Sequence, residues 1–141
     1  MKAYVLGFAF SPDTKRVALI RKNRPTWQAG KLNGIGGHLE ANEQPHVAMV
    51  REFEEETGAT VLGWKHFLDI KGWAIMQEWR VTCFMCRTHK LDELKTNTDE
   101  EVGIYDVEKL YEQNTIPNLH WIIPMALDDT LDNPITVKVV R

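Results

Sequence analysis

Residues 36–59, GGHLEANEQPHVAMVREFEEETGA, constrain this chain more than any other stretch. Between a glycine pair and a closing glycine, Pro45 opens a run rich in Ala, Met, Arg and Glu, types that favour helix, with proline suited to a first turn. Asn42 or Glu43 is placed to begin that helix, and Gly58 suits the left-handed residue that ends one. Glu52, Glu55 and Glu56 then stand at i, i+3 and i+4, within an arc of roughly 100°. Val47, Val50, Phe53 and Thr57 fall on the other side. The predicted helix has one wall to bury and one wall of carboxylates to present.

Three like charges at that spacing repel, each pair costing about 0.2–0.5 kcal/mol in an isolated helix. A sequence shaped only by stability would interleave lysines. The arrangement points to a positive partner, and an all-oxygen, carboxylate-rich surrounding suits a hard cation, Mg²⁺ in particular. Mg²⁺ binds through one or two carboxylates, several waters and the oxygens of a substrate phosphate. A solvated acidic helix face is the competing reading of EFEEE taken alone.

The run does not stand alone. Gly37 is followed after five residues by Glu43, and after seven more by Arg51-Glu52-Phe53, then Glu55-Glu56 and Gly58. That string resembles the signature of the Nudix hydrolases, which cleave nucleoside diphosphates linked to another group. It departs only at its last place, where Ala59 replaces the usual aliphatic residue, a mild change with Val61 close behind. The resemblance implies an α/β (α+β) Nudix fold, a mixed β-sheet sandwiched between helices, and attack of water on a phosphorus of a diphosphate linkage. It implies Glu52, Glu55 and Glu56 as metal ligands together with the Gly37 carbonyl, and Mg²⁺ or Mn²⁺ as cofactor. The family takes its general base from this helix in some members and from a distant loop in others. Glu52, Glu55 and Glu101 are therefore the catalytic candidates, with Glu100 as second match for the loop position. Glu43 and Arg51 are implied as structural, pairing with each other or with the helix glutamates.

Composition narrows the setting. A chain of 141 residues, 43% hydrophobic and 26% charged, is expected to form a single domain over 1–141 with a core that needs no staples. Its net charge of -3 argues against holding a nucleic acid polymer by the phosphates. The apolar run AYVLGFAF at residues 3–10 is too short to span a bilayer and reads as a buried strand. With no targeting pattern or membrane span, the expected place is cytoplasmic, as a monomer or homodimer without membrane partners. Cys83 and Cys86 lack a second cysteine pair, and three residues apart on a strand they face opposite sides, so buried thiols are expected rather than zinc or redox chemistry.

Along the chain, Tyr4 to Phe10 and Arg16 to Arg21 read as a hairpin about Ser11-Pro12-Asp13. Lys22 to Lys31 reads as a loop whose cations either meet substrate phosphates or are simply solvated. Thr60 to Ile70 and Trp73 to Arg87 read as strands broken at Lys71-Gly72. Lys90 to Glu101 reads as a loop, Val102 to Val107 as a strand and Val107 to Gln113 as a short helix. Leu119 to Leu127 is a second helix with Trp121, Ile122, Met125 and Ala126 toward the core, and Ile135 to Val140 a last strand.

Substrate follows only from resemblance. Leu32-Asn33-Gly34 and His120-Trp121-Ile122-Ile123-Pro124 are similar to segments of the family's oxidised-purine nucleoside triphosphatases, which implies Asn33 and Asn118 as base-reading residues. Asn33 as a turn cap and Trp121 as plain core compete with that reading. A nucleoside triphosphate giving monophosphate and pyrophosphate is the leading expectation, with ADP-ribose or a dinucleoside polyphosphate as alternatives. Two readings lie outside catalysis: a nucleotide sensor without turnover, and an interaction protein with a chance acidic helix.

Overall fold

The first strand is apolar on both faces, and that sets the architecture. In the computed structural model, which describes residues 1–140, β1 (Lys2–Phe10) sends Val5 and Ala9 to one face and Phe8 and Phe10 to the other, none more than 2% exposed. A strand buried on both sides needs a layer above and a layer below. α1 (Pro45–Thr57) covers the first face with Ala48, Met49 and Phe53. α2 (Leu119–Ala126) covers the second with Leu119, Ile122, Ile123 and Ala126. β2 (Arg16–Arg21) and β6 (Gln77–Arg87) alternate in the same way. Cys83 lies in the α2 layer and Cys86 in the α1 layer, both buried and unbridged, with burial pushing the Cys86 thiol up to about 12.

Eight strands make one mixed sheet. β3 (Leu32–Asn33), β2, β1, β6, β5 (Lys65–Ala74) and β8 (Ile135–Lys138) lie side by side in that order, with the β1–β6 and β5–β8 pairs parallel. β7 (Glu101–Asp106) pairs antiparallel with β2, and β4 (Ile35–His38) antiparallel with β1. One edge of β1 is therefore shared. β2 takes Ala9 and Phe10, and β4 takes Tyr4 to Gly7. The chain crosses between the two at Gly34, where a Cβ would stand 2.8 Å from the Phe8 ring. This fork delivers the glycine pair to the sheet beside α1. Among the described residues no helix is long and apolar enough to cross a membrane.

Four expectations need correction. The hairpin between β5 and β6 does not turn at Lys71-Gly72 but at Ile75 and Met76, both at positive φ (50° and 58°). Gly72 is a packing glycine inside β5, since a Cβ there would lie 2.4 Å from the Trp79 ring. β5 also begins at Lys65 rather than Thr60. On α1, Val47 is 49% exposed and Val50 half-buried. The buried stripe is Ala48, Met49, Glu52, Phe53 and Thr57, because Gly7 opens a hole in β1 that Met49 fills, its Cε 2.5 Å from where a Gly7 Cβ would be. On α2, Trp121 and Met125 pack only at the margin, while Leu119 and Ile123 are buried with Ile122 and Ala126.

Candidate active site

The glycine strand is built for close approach. A Cβ on Gly36 would sit 1.9 Å from the Val5 carbonyl oxygen, and one on Gly37 would sit 2.5–2.7 Å from the Glu52 carboxylate. Any larger residue would push the backbone off β1 in the first case and the carboxylate out of place in the second. Bonding in an antiparallel ladder alternates, and the Leu39 N–H donating to the Ala3 carbonyl at 3.0 Å fixes its phase. By that alternation Gly37, opposite Val5, spends its own carbonyl on the ladder, while the carbonyls of Gly36 and His38 turn away from β1. Arg51 Nη2 donates to the His38 carbonyl at 3.1 Å. The backbone oxygen left over is that of Gly36, one residue before the position expected from the sequence.

α1 begins with Pro45 in its first turn and ends at the expected Gly58, at φ 77°, but its N-cap is Gln44 rather than Asn42 or Glu43. Arg51 is the hub of its acidic wall. Its Nε and Nη2 donate to the two oxygens of Glu43 at 2.8 Å each, and its Nη1 donates to Glu52 Oε1 at 2.9 Å and to Glu55 at 3.3 Å. Such a forked pair has the geometry that makes charge-assisted bonds strong. Glu43 also accepts the Glu40 N–H at 3.0 Å, so the Arg51 pair ties the 39–44 loop to the helix. The Arg51 guanidinium holds the Glu43 carboxyl down at about 2. Arg51 is in turn held more firmly charged by Glu43 and Glu52.

Glu52 and Glu56 behave differently. Glu52 is 9% exposed, and burial pushes its carboxyl pKa up against the opposing pull of Arg51, with Glu55 and Glu56 adding to the rise. Glu56 is half-buried; burial raises its pKa too, Glu100 adds to the rise, and the Thr98 hydroxyl, donating to Oε2 at 2.8 Å, offsets part of it. Glu55 is the exposed member of the three.

The 94–100 segment closes the far side. Lys95 N–H donates to Thr57 O at 3.0 Å, Asn97 N–H to Glu56 O at 3.1 Å and Asn97 Nδ2 to Glu55 O at 3.0 Å, so it satisfies carbonyls that the last turn of α1 leaves unpaired. Beyond them lies Glu100, 4% exposed, taking Lys22 Nζ at 2.9 Å and the Asn23 N–H at 2.6 Å. Burial pushes its pKa up, but those donors outweigh it and the net shift is down. Glu101, the first match from sequence, goes elsewhere. Val102 and Ile104 pack into the α1 layer and Tyr105 into the α2 layer, so alternation along β7 turns exposed Glu101 away from α1. The structure brings Glu100 rather than Glu101 up to Glu56.

The cations of the Lys22–Lys31 loop are partly spoken for: Lys22 pairs with Glu100 and Arg24 with Asp99. The sequence offered the cations of the Lys22–Lys31 loop, Lys22 among them, as partners of substrate phosphates, but not as partners of Glu100, and it gave no sign of Thr98, Asn23 or Gln28, since nothing local marks a loop residue that meets a segment far along the chain. Asn33 is fixed on both sides of its amide: Oδ1 accepts the Gly34 N–H at 2.8 Å and Nδ2 donates to Gln28 Oε1 at 3.1 Å. Asn118 sits exposed at the start of α2 without a side-chain cap bond. The Thr115–Ile116 segment that precedes it is bonded to Leu32, which sets the α2 N-terminus next to β3.

Among the described residues no three His, Cys, Asp or Glu side chains already form a ligand cage. The donor set nevertheless fits a hard divalent cation. Burial raises the pKa of both Glu52 and Glu56, with Glu56 adding to the rise at Glu52 and Glu100 to that at Glu56, so their charge is only partly offset by the protein, and the Gly36 carbonyl, turned away from β1, is a further neutral oxygen. A cation that keeps most of its waters needs only one or two such carboxylates.

Residues 2–124 match the family described as the NUDIX domain. The fold superposes on a mutator MutT protein from Bacillus halodurans with a TM-score of 0.77 at 19% identity, over 98% of this chain and 88% of that one. A MutT structure from work on the Aliivibrio salmonicida and Vibrio cholerae proteins gives 0.71 at 20% identity, over 89% and 96%. The NUDIX domain of Shewanella oneidensis NrtR, solved with ADP ribose, gives 0.74 at 12% identity, over 88% and 84%. No curated protein matches by sequence. At these identities the structural likenesses concern the fold.

Proposed function

The chain belongs to the NUDIX family, hydrolases that act on nucleoside diphosphate derivatives, and from that premise we propose that it converts a nucleoside triphosphate, oxidised purine nucleotides included, to the monophosphate and pyrophosphate. The observation that carries the proposal is the pair Glu52 and Glu56, two carboxylates on one helix wall whose burial raises their pKa, faced by Glu100. Likeness to MutT folds motivates the triphosphate reading, which puts Asn33 and Asn118 at the base, although the Asn33 amide is already bonded to the Gly34 N–H and to Gln28.

Glu52, Glu55, Glu56 and the Gly36 carbonyl are the groups that would hold Mg²⁺ or Mn²⁺. When bound, such an ion neutralises phosphate charge and makes water easier to deprotonate. Water attacks phosphorus, a phosphoanhydride bond breaks, and pyrophosphate leaves with the electron pair; the water proton needs a base. Glu52 is the best placed. Arg51 uses only its Oε1, Oε2 is left without a protein partner, and a raised pKa makes a carboxylate a better acceptor near neutral pH. Glu100 has both oxygens committed and a lowered pKa, which suits it to positioning Lys22 and the 22–24 turn.

ADP-ribose is the second reading, motivated by the NrtR domain and its ligand. A panel of nucleoside triphosphates, ADP-ribose and dinucleoside polyphosphates, assayed with Mg²⁺, with Mn²⁺ and with chelator and analysed by product mass, separates them. Monophosphate plus pyrophosphate from a triphosphate supports the proposal. AMP plus ribose phosphate from ADP-ribose alone overturns it in favour of the second reading, and binding without any product points to a sensor.

A further inference from the structure

A second array of like charge lies on the part of the sheet that α1 leaves bare. Along β6, β5 and β8, Val81, Ile70 and Val137 pack into the α2 layer, so their neighbours Arg80, Lys71 and Lys138 point to the opposite face. The register aligns them. Lys71 is the direct partner of Arg80 across β5–β6 and of Lys138 across β5–β8. With strands about 4.8 Å apart, the three cations form one row about 10 Å long. Like charges directly opposite each other destabilise a sheet, and here the pairing occurs twice in succession.

Little within the protein offsets it. Asp69 Oδ1 approaches Arg80 Nε at 3.7 Å, but the same carboxylate is shared with His66 Nε2 at 3.1 Å, and Arg80 Nε is enclosed without a hydrogen-bond acceptor. Neither Lys71 nor Lys138 enters an ion pair among the described residues. The row borders a shallow cavity of about 330 Å³ lined by Lys71, Gly72, Trp73, Glu78, Thr136 and Lys138. Trp73, two residues beyond Lys71 and therefore on the same face, is 64% exposed, and Glu78 lies directly opposite it.

We propose that this face is a second binding site, distinct from the carboxylate site, for a nucleoside di- or triphosphate. Its phosphates lie along Lys138, Lys71 and Arg80, its base stacks on Trp73 and its sugar hydroxyls donate to Glu78. The row suits a short phosphate chain rather than a polymer. Asp69 and Glu78 flank the row along the strands on either side, which confines a bound anion to the width of the three cations on a chain of net charge -3.

Binding is read by calorimetry and tryptophan quenching in the presence of chelator, which withholds the divalent ion from the carboxylate site. The probes are tripolyphosphate and an α,β-methylene nucleoside triphosphate. Expected are saturable binding of both, the nucleotide tighter, and weakening by about tenfold or more in Lys71→Ala/Lys138→Ala, with kcat for metal-dependent hydrolysis unchanged. Trp73→Ala is expected to weaken the nucleotide and spare tripolyphosphate. Lys138→Thr, a conservative change at an exposed edge position, guards against misfolding of the double variant and is expected to weaken both probes. Full-strength binding in the Lys138→Thr and double variants, or no saturable binding to the unmodified protein at millimolar probe, overturns the site. Tripolyphosphate binding as tightly as the nucleotide overturns the nucleotide assignment, and tighter binding of a single-stranded oligonucleotide overturns the compact ligand. Because hydrolysis is scored separately, failure here leaves the reading of the carboxylate site untouched.

Discussion

The glutamates of α1 and the cations across β8, β5 and β6 pose the same electrostatic problem, and the protein solves it only once. On α1 the repulsion is managed from within: Arg51 ties Glu52 and Glu55, Thr98 holds Glu56, and Gly37 makes room for the Glu52 carboxylate. On the sheet, one shared aspartate stands at one end of the row. Burial explains the difference. Glu52 is 9% exposed and only weakly screened by solvent, so it is given Arg51 as a partner, whereas Lys138 is exposed and solvent does the screening. The first array is organised before any ligand arrives, as electrostatic catalysis requires; the second acquires order only from what it binds.

The comparison breaks most sharply at the glutamates. Glu52→Gln, Glu55→Gln and Glu56→Gln are each expected to lower kcat at least about a hundredfold with an unchanged circular dichroism spectrum. Near-native turnover in all three would remove the catalytic role of the wall. Next in size is the hub. Arg51→Ala leaves Glu43 and Glu52 without their counterion and is expected to cost about 3 kcal/mol, read from the urea midpoint; a loss below about 0.5 kcal/mol would place Arg51 among ordinary surface pairs.

Acid titration sharpens the same point. Glu43 is held at about 2 in the folded state against an ordinary 4.5, so it binds fewer protons folded than unfolded between those values. Its contribution is fully present above about 4.5 and is lost as pH falls toward 2. Glu52 and Glu56 are raised and act with the opposite sign: the folded state gives up stability as pH rises past their ordinary value and they ionise. In metal-free buffer, stability is expected to rise with pH on the acid limb in the unmodified protein and to rise less in Arg51→Ala. An acid limb of equal slope in both would show that Glu43 gains nothing from Arg51. The smallest effect belongs to the sheet: Lys138→Thr relieves one like-charge pair and is expected to stabilise the metal-free protein by about 0.2–1 kcal/mol. A destabilisation instead would mean that the row is not under mutual repulsion.

What could be read in advance was whatever local spacing determines. The bounds of α1 follow from Pro45 and Gly58, and the opposite facing of Cys83 and Cys86 and the layered sheet from the strand period of 2. What could not be read depends on a partner distant in the chain. Val47 and Val50 carry the residue type of a buried face, but the gap at Gly7 selects Met49. Lys71-Gly72 has turn chemistry, yet Trp79 across the ladder occupies the space Gly72 leaves, and the real turn falls on two residues of the wrong type for it. Gly36 and Gly37, like Glu100 and Glu101, differ by a single step, and in a strand one step reverses direction. Only the phase of β4 against β1, and of β7 beneath α1, decides which carbonyl is left free of the ladder and which glutamate turns toward Glu56.

The bonds from Lys95 and Asn97 to the end of α1 have one more consequence. A flap that merely leaned on its neighbour would swing freely, but this one is also the helix terminus's plug, so opening it uncorks the carbonyls of Glu55, Glu56 and Thr57 together. Any breathing of that wall is thereby geared to unwinding of the turn that bears Glu55 and Glu56, and amide exchange at Lys95 and Asn97 should keep time with exchange in the last turn of the helix.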